Sequence, residues 1–270
     1  MFTIITSSKN AREDLHRTAL SIRSQTAKGI QWIIVDGLST DGTADIIRKN
    51  SDIIGEYICE SDTGIFNAWN KAIPLVKNEW VIFLGSGDIF AGPEVLEKVS
   101  AKLHTKSDIK LAYGDVHLID ADKELRQTSG EVDLYGWTQG RPNLPCHQGV
   151  FHHKSIFAMG RPPFDESYKI CADAKLILSI ENMKEESTYL NLLVSKMLVG
   201  GLSQQPASWG IVASENSRLR RDLDLAIPIN QRFSLIILYA KAKLFVLMPK
   251  LTIHIVNWFR RRRGLKDFYV

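Results

Sequence analysis

The sequence lacks the features that identify several protein classes. Its three cysteines, Cys59, Cys146 and Cys171, form no CxxC pair, and their odd number argues against a disulfide framework and favours a reducing compartment. The first residues, MFTIITSSKN, show no basic segment followed by a long apolar stretch, so they predict a strand and not a signal peptide. The chain has no P-loop, no GxGxxG after its first strand and no GxSxG, which argues against P-loop, dinucleotide-cofactor and nucleophile-elbow chemistry.

Neither sign of charge dominates the whole chain, but its C-terminal end is basic. The formal net charge of the 270 residues is +4. Residues 231–270 hold nine Lys/Arg and one acid, Asp267, which leaves 25 Lys/Arg against 29 Asp/Glu in the rest, or −4. A mildly acidic body with a basic tail argues against a nucleic-acid-binding face, and it predicts a terminus that seeks an anionic surface.

The first part of the chain alternates strand patterns with helix patterns. Short apolar runs predict strands at 2–6, 31–35, 56–59 and 80–84. Capping residues and apolar stripes predict helices from Asn10 to about Gln25, from Ser39 or Thr40 onward, from Gly64 onward and over 93–103. Such alternation is typical of a parallel sheet with helices on both faces.

The pattern changes after residue 110. Segments 111–120 and 124–132 predict antiparallel strands, followed by a Pro/Gly/Asn-rich loop at 136–146. Further strands are predicted at 147–153 and 188–194, and a helix over 172–183. The predicted fold class is therefore α/β, with a Rossmann-like, mostly parallel sheet and antiparallel additions in the second half.

Three aspartates follow predicted strands at regular intervals. Asp36 ends WIIVDG, Asp62 follows EYICES and Asp88 follows WVIFLGSG. Ligands bind outside the carboxyl ends of the strands in an open α/β sheet, so three carboxylates at that edge predict a site for a cation and a nucleotide. Each aspartate also has a structural interpretation, because each stands where it can cap a turn or the following helix.

The helix predicted after Gly64 carries further polar residues. Asn70 and Lys71 lie on its flank, where they can turn toward a phosphate or a base. Asn67 is expected on a solvated surface and Trp69 in the core. The first two residues are therefore candidates for ligand binding.

The order of these motifs resembles that of a known enzyme family. VDGLSTDGT, ESDTGIFNAWNKAI and FLGSGD are similar to motifs of the inverting family 2 glycosyltransferases of the GT-A fold, in particular the bacterial enzymes that assemble exopolysaccharide, O-antigen or capsule repeat units. Further similar segments are AYGD at 112–115, HQGVFHHKSIF at 147–157, FDESYKICADAKLIL at 164–178 and GGLS at 200–203. The resemblance covers about residues 1–205. It implies a hexosyl- or N-acetylhexosaminyl-transferase that uses a nucleotide-sugar donor.

The resemblance implies roles for the acidic strand ends. Asp36 would contact the nucleotide base with Asp62 beside it, and Asp88 would hold Mg²⁺ or Mn²⁺ on the donor diphosphate, since one protein carboxylate can suffice for such an ion. Further donor-binding candidates are Thr6, Asn70, Lys71, Ser86 and Gly87. Gly87 stands where many relatives have another aspartate, so a carboxylate contact to ribose or metal is missing there.

Residues of the second half are implied at the acceptor side. Asp173 in CADAKL resembles the family's general base, which starts a helix facing the acceptor, and Asp165 and Glu166 are its nearby rivals. A positioned base contributes roughly 10²- to 10⁴-fold to rate. His147 and Gln148 match the family's HQ pair, which is expected near the donor phosphates or the acceptor.

The C-terminal segment predicts two amphipathic helices, about 229–247 and 250–262, with Pro249 at the break. Its uncharged runs are far shorter than the ~20 residues that span a bilayer. Apolar faces followed by the four arginines of 260–263 suit an interfacial anchor on an anionic membrane. Alternatively, the helices pack on the rest of the protein or on a second subunit. The predicted domains are a catalytic domain, 1–228, and a basic helical tail, 229–270.

These features predict a cytoplasmic enzyme at the inner face of the cell membrane. It would move one sugar from a UDP-linked donor to a hydroxyl of a lipid-linked or surface-polysaccharide acceptor, with inversion at the anomeric carbon. Two alternatives stay open. A sugar nucleotidyltransferase is one, although TSSKNAREDL is not the glycine-rich phosphate loop it needs. A non-catalytic nucleotide-sugar-binding scaffold at the membrane is the other, and Gly87 favours it.

Overall fold

A computed structural model describes most of the chain. The described residues are 1–104, 108–120, 123–128, 130–134, 136–138, 140–158, 162–226 and 228–262. Residues 263–270, which belong to the predicted basic tail, lie outside them.

The first part of the chain forms the predicted strand–helix alternation. Its strands are β1 (Phe2–Ser8), β2 (Gln31–Asp36), β3 (Glu56–Cys59), β4 (Trp80–Phe83) and the short β5 (Ile89–Phe90). Its helices are α1 (Arg12–Arg23), α2 (Thr43–Lys49), α3 (Ile65–Ala72) and α4 (Val95–Leu103). β2 and β4 are buried along their whole length, which explains why they read as near-continuous apolar runs without alternation.

The second part adds mainly strands and ends in helices. The strands are β6 (Leu111–Asp120), β7 (Lys123–Thr128), β8 (Trp137–Thr138), β9 (Arg141–Pro142), β10 (Val150–His153) and β11 (Ser187–Leu198). The helices are α5 (Ala172–Leu178), α6 (Trp209–Asp222), α7 (Ile229–Leu247) and α8 (Pro249–Arg262). The helix predicted over 172–183 ends early, at Leu178.

The main sheet of the described residues is mixed and has nine strands in the order β3-β2-β1-β4-β10-β6-β11-β5, with β7 paired to β6. β8 and β9 pair as a separate two-stranded hairpin. β1 pairs in parallel with both β2 and β4, while β10 runs antiparallel between β4 and β6. The predicted α/β class with a mostly parallel sheet and antiparallel additions is confirmed. The chain runs outward from β1 to β3 and then returns to the other side of β1 as β4. The carboxyl ends of β1 and β4 therefore flank a topological switch point, where open α/β sheets bind ligands.

Two apolar layers sandwich the sheet, because successive strand residues point to opposite faces. Ile5 and Ile33 pack with Trp69 of α3 and Leu176 of α5 in one layer. Ile4, Trp32 and Ile82 pack with residues of α1, α2 and α4 in the other. Trp69 lies in the core, as predicted.

The capping prediction at α1 and α2 was wrong in detail. Asn10, Ser39 and Thr40 do not cap these helices through their side chains. Instead the Asp41 carboxylate accepts hydrogen bonds from Arg12 N of α1 and Thr43 N of α2, both at 3.0 Å. One acid thus satisfies the first turns of two adjacent helices.

The C-terminal helices attach to the body by one face. The Leu235 and Ala242 side chains of α7 are buried, and Gln231 Oε1 accepts a hydrogen bond from Gly140 N in the β8–β9 hairpin at 3.1 Å. Tyr239 Oη donates to Ser217 Oγ of α6 at 3.1 Å. Across the described residues, no helix is both long and apolar enough to cross a bilayer.

Candidate functional site

The candidate site lies at the switch point between β1 and β4. Ser86, just after β4, donates a hydrogen bond from Oγ to Ser7 O of β1 at 3.0 Å and so ties the two strand ends together. Gln148 precedes β10, which runs antiparallel to β4, so it belongs to the same edge of the sheet. Its backbone oxygen accepts from Ser195 Oγ of β11 at 2.8 Å.

Asp36 and Asp62 meet at this edge. The Asp36 side chain, which is 1% exposed, accepts hydrogen bonds from Ser39 N at 2.9 Å and Ser39 Oγ at 2.5 Å. Gly37 allows Asp62 to come close, because a Cβ added there would lie 2.6 Å from Asp62 Oδ2. Both carboxylates therefore lie next to the 36–39 turn. A nucleotide base that binds at this place would contact the turn and Asp62.

Lys71 positions the segment that carries Asp62. Its Nζ donates to Ser61 O at 2.7 Å and lies 3.0 Å from Glu60 Oε1. Asp62 Oδ1 in turn accepts from Gly64 N at 3.1 Å, at the start of α3. The predicted donor-site lysine thus sits next to the acidic edge with its ammonium group already paired.

Asp88 is turned inward at the end of the Gly-Ser-Gly bend. Its carboxylate accepts hydrogen bonds from Gly85 N and from Leu198 N of β11, both at 3.2 Å. The side chain is 6% exposed, and burial, opposed by these two bonds and aided by the Asp14 charge, raises the pKa of Asp88 to about 7. The last residue of β11 therefore positions the acid that the sequence assigns to the metal.

Gly87 is glycine for a structural reason. Its φ of +95° is one that residues with a side chain rarely adopt. A Cβ at this position would lie 2.6 Å from Leu198 Cδ1 and 3.3 Å from Asp14 Cβ. The space that a side chain at position 87 would need is therefore filled by Leu198 and Asp14.

We expect Gly87→Asp to destabilise the protein by about 1–3 kcal/mol through backbone strain, with the Leu198 contact adding to that loss. Two matched variants separate the causes. Gly200→Asp carries a similar φ of +103° in open space, and Gly92→Asp has open space without a positive φ. Thermal unfolding should rank the losses Gly87, then Gly200, then Gly92. Equal melting temperatures for all three variants would contradict this explanation of why position 87 is glycine.

The residues at the edge fit a divalent cation only as a one-carboxylate site. Within the described ranges, no group of three His, Cys, Asp or Glu residues could hold a metal ion. Asp88 offers hard oxygen ligands, and burial makes its anionic form unfavourable without a nearby cation. Mg²⁺ binds in this way, through one or two carboxylates completed by substrate phosphates and water.

Asp173 stands in the first turn of α5 and is half-buried. Its Oδ1 accepts a hydrogen bond from Ala174 N at 2.8 Å. Burial, together with the negative charge of Glu215 on α6, raises the pKa of Asp173 to about 6 against that hydrogen bond. A carboxylate with such a pKa is ionised at neutral pH, yet is a far better proton acceptor than an ordinary aspartate.

The two rival acids are held in structural roles. Burial opposes ionisation of Asp165, but hydrogen bonds from Lys175 and Ser167 lower its pKa to about 2, which makes it a weak base. Glu166 accepts hydrogen bonds from the amides of Asn67 and Asn70, both at 2.9 Å, and so fastens its loop to α3. The geometry therefore favours Asp173 among the three.

Two predicted donor-binding side chains, those of Thr6 and Asn70, make hydrogen bonds within the protein. Thr6 is completely buried, and its hydroxyl accepts a hydrogen bond from Trp32 Nε1 at 3.0 Å. The Asn70 amide exchanges hydrogen bonds with the backbone of Phe164, at 2.8 and 3.0 Å, and also donates to Glu166. A donor contact by either side chain would have to compete with these internal hydrogen bonds.

The two residues of the predicted HQ pair, His147 and Gln148, lie in different surroundings. His147 is buried, with its ring stacked against Trp69 at 5.1 Å and Phe83 at 5.4 Å. Burial, followed by the nearby His152, holds the pKa of His147 well below its usual value. Gln148 stays at the edge, where its Oε1 accepts from Cys146 Sγ at 3.3 Å.

The sequence interpretation missed Leu198 and Glu215. Nothing in the sequence singles out Leu198, because its role is a backbone hydrogen bond across the sheet. Glu215 left one signal, since it falls on the buried stripe of α6 with Val212 and Leu219. An acid on an apolar stripe indicates a buried polar contact, here with the loop before Asp173.

A family model described as Glycosyl transferase family 2 matches residues 3–167. A PGL/p-HBAD biosynthesis glycosyltransferase of Mycobacterium tuberculosis is 27% identical over 268 residues, which are 97% of this chain and 98% of that protein. An Escherichia coli protein, UDP-Glc:alpha-D-GlcNAc-diphosphoundecaprenol beta-1,3-glucosyltransferase, is 35% identical over 116 residues, which are 42% of this chain and 44% of that one.

Two solved structures have the same fold at low sequence identity. TarS 1-349 of S. aureus in complex with UDP-GlcNAc matches with a TM-score of 0.62 and 13% identity, covering 97% of this chain and 87% of that one. The mannosyltransferase PcManGT of Pyrobaculum calidifontis, in complex with GDP-Man and Mn²⁺, matches with a TM-score of 0.60 and 15% identity, covering 98% and 81%. The architecture predicted from the motifs, the GT-A fold, is thereby confirmed.

Proposed function

This chain belongs to glycosyl transferase family 2, and we propose that it transfers one sugar, with inversion at the anomeric carbon, from a UDP-linked donor to a hydroxyl of a lipid-linked or surface-polysaccharide acceptor. The observation that carries the proposal is the placement of Asp36, Asp62 and Asp88 at or after the carboxyl ends of β2, β3 and β4, on the edge of the sheet that holds the β1–β4 switch point. One end of this edge suits a base and ribose, and the other suits a diphosphate with its cation.

Inversion follows from a single displacement. The acceptor hydroxyl oxygen attacks the anomeric carbon, the bond from that carbon to the donor phosphate oxygen breaks, and Asp173 takes the hydroxyl proton. The half-buried position and raised pKa of Asp173 support this role. Asp36 and Asp62 orient the nucleotide, and Gln148 lies where the donor phosphates or the acceptor pass. We propose that Asp88 is the protein ligand of Mg²⁺ or Mn²⁺, which would offset the charge on the leaving diphosphate.

The named relatives support the finer choices. The E. coli relative is named for a UDP-linked donor and an acceptor on diphosphoundecaprenol. The TarS match was solved with UDP-GlcNAc and the PcManGT match with Mn²⁺. UDP-linked donors and a lipid-diphosphate acceptor are therefore the first substrates to test.

The function is tested by UDP release from UDP-glucose and UDP-GlcNAc, with synthetic polyprenyl-diphosphate-linked N-acetylglucosamine as acceptor. The proposal requires UDP release that depends on the acceptor and a product of opposite anomeric configuration by NMR. Pyrophosphate release from a nucleoside triphosphate would instead support a sugar nucleotidyltransferase. Donor binding without turnover on a broad set of glycan acceptors would support a non-catalytic scaffold.

We further propose that α7 and α8 hold the enzyme on the inner face of the cell membrane, with 229–270 as the anchoring tail. The α7 face turned away from the body exposes Phe233, Ile236 and Ile237. On α8 the exposed side chains include Trp258 and Phe259, next to the arginines of its last turn. An apolar face bordered by cations matches an anionic lipid surface better than the surface of a second acidic body.

We expect Ile237→Asp to weaken binding to phosphatidylglycerol-containing vesicles by more than about tenfold, because burying one large aliphatic side chain is worth about 1.5–3 kcal/mol. Leu20→Asp is the matched control, since both residues are 54% exposed and Leu20 lies on α1, away from the tail. Cosedimentation with vesicles measures both variants. Unchanged binding by Ile237→Asp would remove this face from the membrane contact, and a wild-type dimer that Ile237→Asp dissociates would assign the face to a second copy.

A further inference from the structure

A buried carboxylate that accepts three backbone hydrogen bonds lies outside the predicted site. Glu215 stands in the middle of α6 and is 7% exposed. Its Oε1 accepts a hydrogen bond from Lys169 N at 2.6 Å, and its Oε2 accepts from Ile170 N and Cys171 N, each at 2.9 Å. Three consecutive backbone N–H groups thus converge on one side chain.

These three residues form the entry to the proposed catalytic base. Cys171 is the residue before α5, and Asp173 follows within the first turn. The loop has no regular secondary structure of its own to hold it. A carboxylate that accepts several backbone N–H bonds makes strong, charge-assisted contacts, so Glu215 fixes where α5 begins. Because Asp173 lies in the first turn of α5, its position depends on where the helix begins.

We infer that Glu215 is a positioning residue for sugar transfer, which holds the 169–171 loop so that Asp173 meets the acceptor hydroxyl. The inference rests on the proposed role of Asp173 as base. Misplacing a catalytic group by about 1 Å can cost about 100-fold in rate. Because Glu215 holds the loop directly before Asp173, loss of its hydrogen bonds should lower turnover strongly.

The charge of Glu215 has a second consequence. Its negative charge opposes ionisation of Asp173 and adds to the effect of burial. The other titratable groups at this place are the Cys171 thiol, whose pKa is raised mainly by burial, and Arg141 of β9, whose charge faces that thiol. Loss of the Glu215 charge therefore lowers the pKa of Asp173. The acid limb of the pH–rate profile, where turnover falls because Asp173 becomes protonated, should therefore move to lower pH.

Two substitutions separate geometry from charge. Glu215→Gln removes the charge and turns an NH₂ group toward backbone N–H donors. We expect kcat to fall 10- to 100-fold, donor affinity to stay within twofold, and the acid limb of the pH–rate profile to move to lower pH. Glu215→Asp keeps the charge but is one methylene too short to reach all three N–H groups. It should lose a similar factor in kcat while its acid limb stays near that of the wild type.

Glu181→Gln is the control, because this exposed glutamate loses the same charge at the surface. It should match the wild type in every assay. Wild-type kcat and acid limb in Glu215→Gln would overturn the inference. Hydrogen exchange on the wild type is a second test, and it needs neither a variant nor a substrate. If the amide hydrogens of 169–171 exchange as fast as those of exposed loops, the inference is also overturned. Failure of the proposed base looks different, since Asp173→Asn would then keep turnover while the 169–171 amides stay protected.

Discussion

Asp173→Asn should reduce sugar transfer by roughly 10²- to 10⁴-fold, the contribution of a positioned general base. Asparagine keeps the size of the side chain but cannot take the acceptor proton. Donor binding should be unchanged, because we propose that the donor binds along the edge that carries Asp36, Asp62 and Asp88. Turnover is measured as UDP release with acceptor, and donor affinity by equilibrium dialysis.

The stability of Asp173→Asn distinguishes loss of chemistry from loss of fold. The fold raises the pKa of Asp173 to about 6, above its unfolded value, so the ionised carboxylate disfavours the folded state as pH rises toward and through 6. The neutral asparagine should therefore melt no lower than the wild type at pH 8. Asp165→Asn is the comparison, and it should keep transfer within about tenfold, because the low pKa of Asp165 makes it a weak base and we propose Asp173 for that role. Full turnover in Asp173→Asn with loss in Asp165→Asn would move the base to Asp165.

Asp88→Asn should abolish metal-dependent donor binding, which is the second large effect. The substitution keeps the shape of the side chain and one acceptor for Gly85 N or Leu198 N, but it removes the anionic ligand for the cation. Alanine is less suitable, because two buried N–H groups would be left unpaired, each at a cost of about 1–3 kcal/mol. Donor affinity by calorimetry, with and without Mn²⁺, measures the effect.

Asp14→Asn serves as the control for Asp88→Asn. Asp14 is an exposed acid of α1 that borders Gly87 and makes the Asp88 pKa higher, but it does not share the hydrogen bonds of Asp88. Its variant should keep the Mn²⁺ effect on donor affinity. If Asp88→Asn binds the donor as the wild type does at every Mn²⁺ concentration, the cation is held elsewhere or is not needed.

The strand ends could be predicted from the sequence because they depend on local patterns. Asp36, Asp62 and Asp88 each follow an apolar run that forms a parallel strand, and the strand order then brings them to one edge. The bounds of α7 followed in the same way, from a segment rich in apolar residues and the break at Pro249, where α8 begins.

The side-chain contacts that could not be predicted join distant segments of the chain. Thr6 lies near the predicted edge, but strand alternation turns its side chain inward to Trp32. His147 is buried because Trp69 and Phe83 meet it from two other elements. Asn70 faces Phe164, 94 residues away in the chain. No local pattern encodes these partners, so the sequence could not assign the side chains.

The most direct test of the central claim is a thermal-shift panel of nucleoside diphosphates and nucleotide sugars on the wild-type protein, with and without Mn²⁺. A ligand at 100 times its dissociation constant stabilises a protein by about 2.7 kcal/mol, which is readily detected. The account predicts that UDP and one UDP-sugar raise the melting temperature, and more so with Mn²⁺. If no nucleotide shifts the melting temperature under either condition, the edge formed by Asp36, Asp62 and Asp88 is not a donor site.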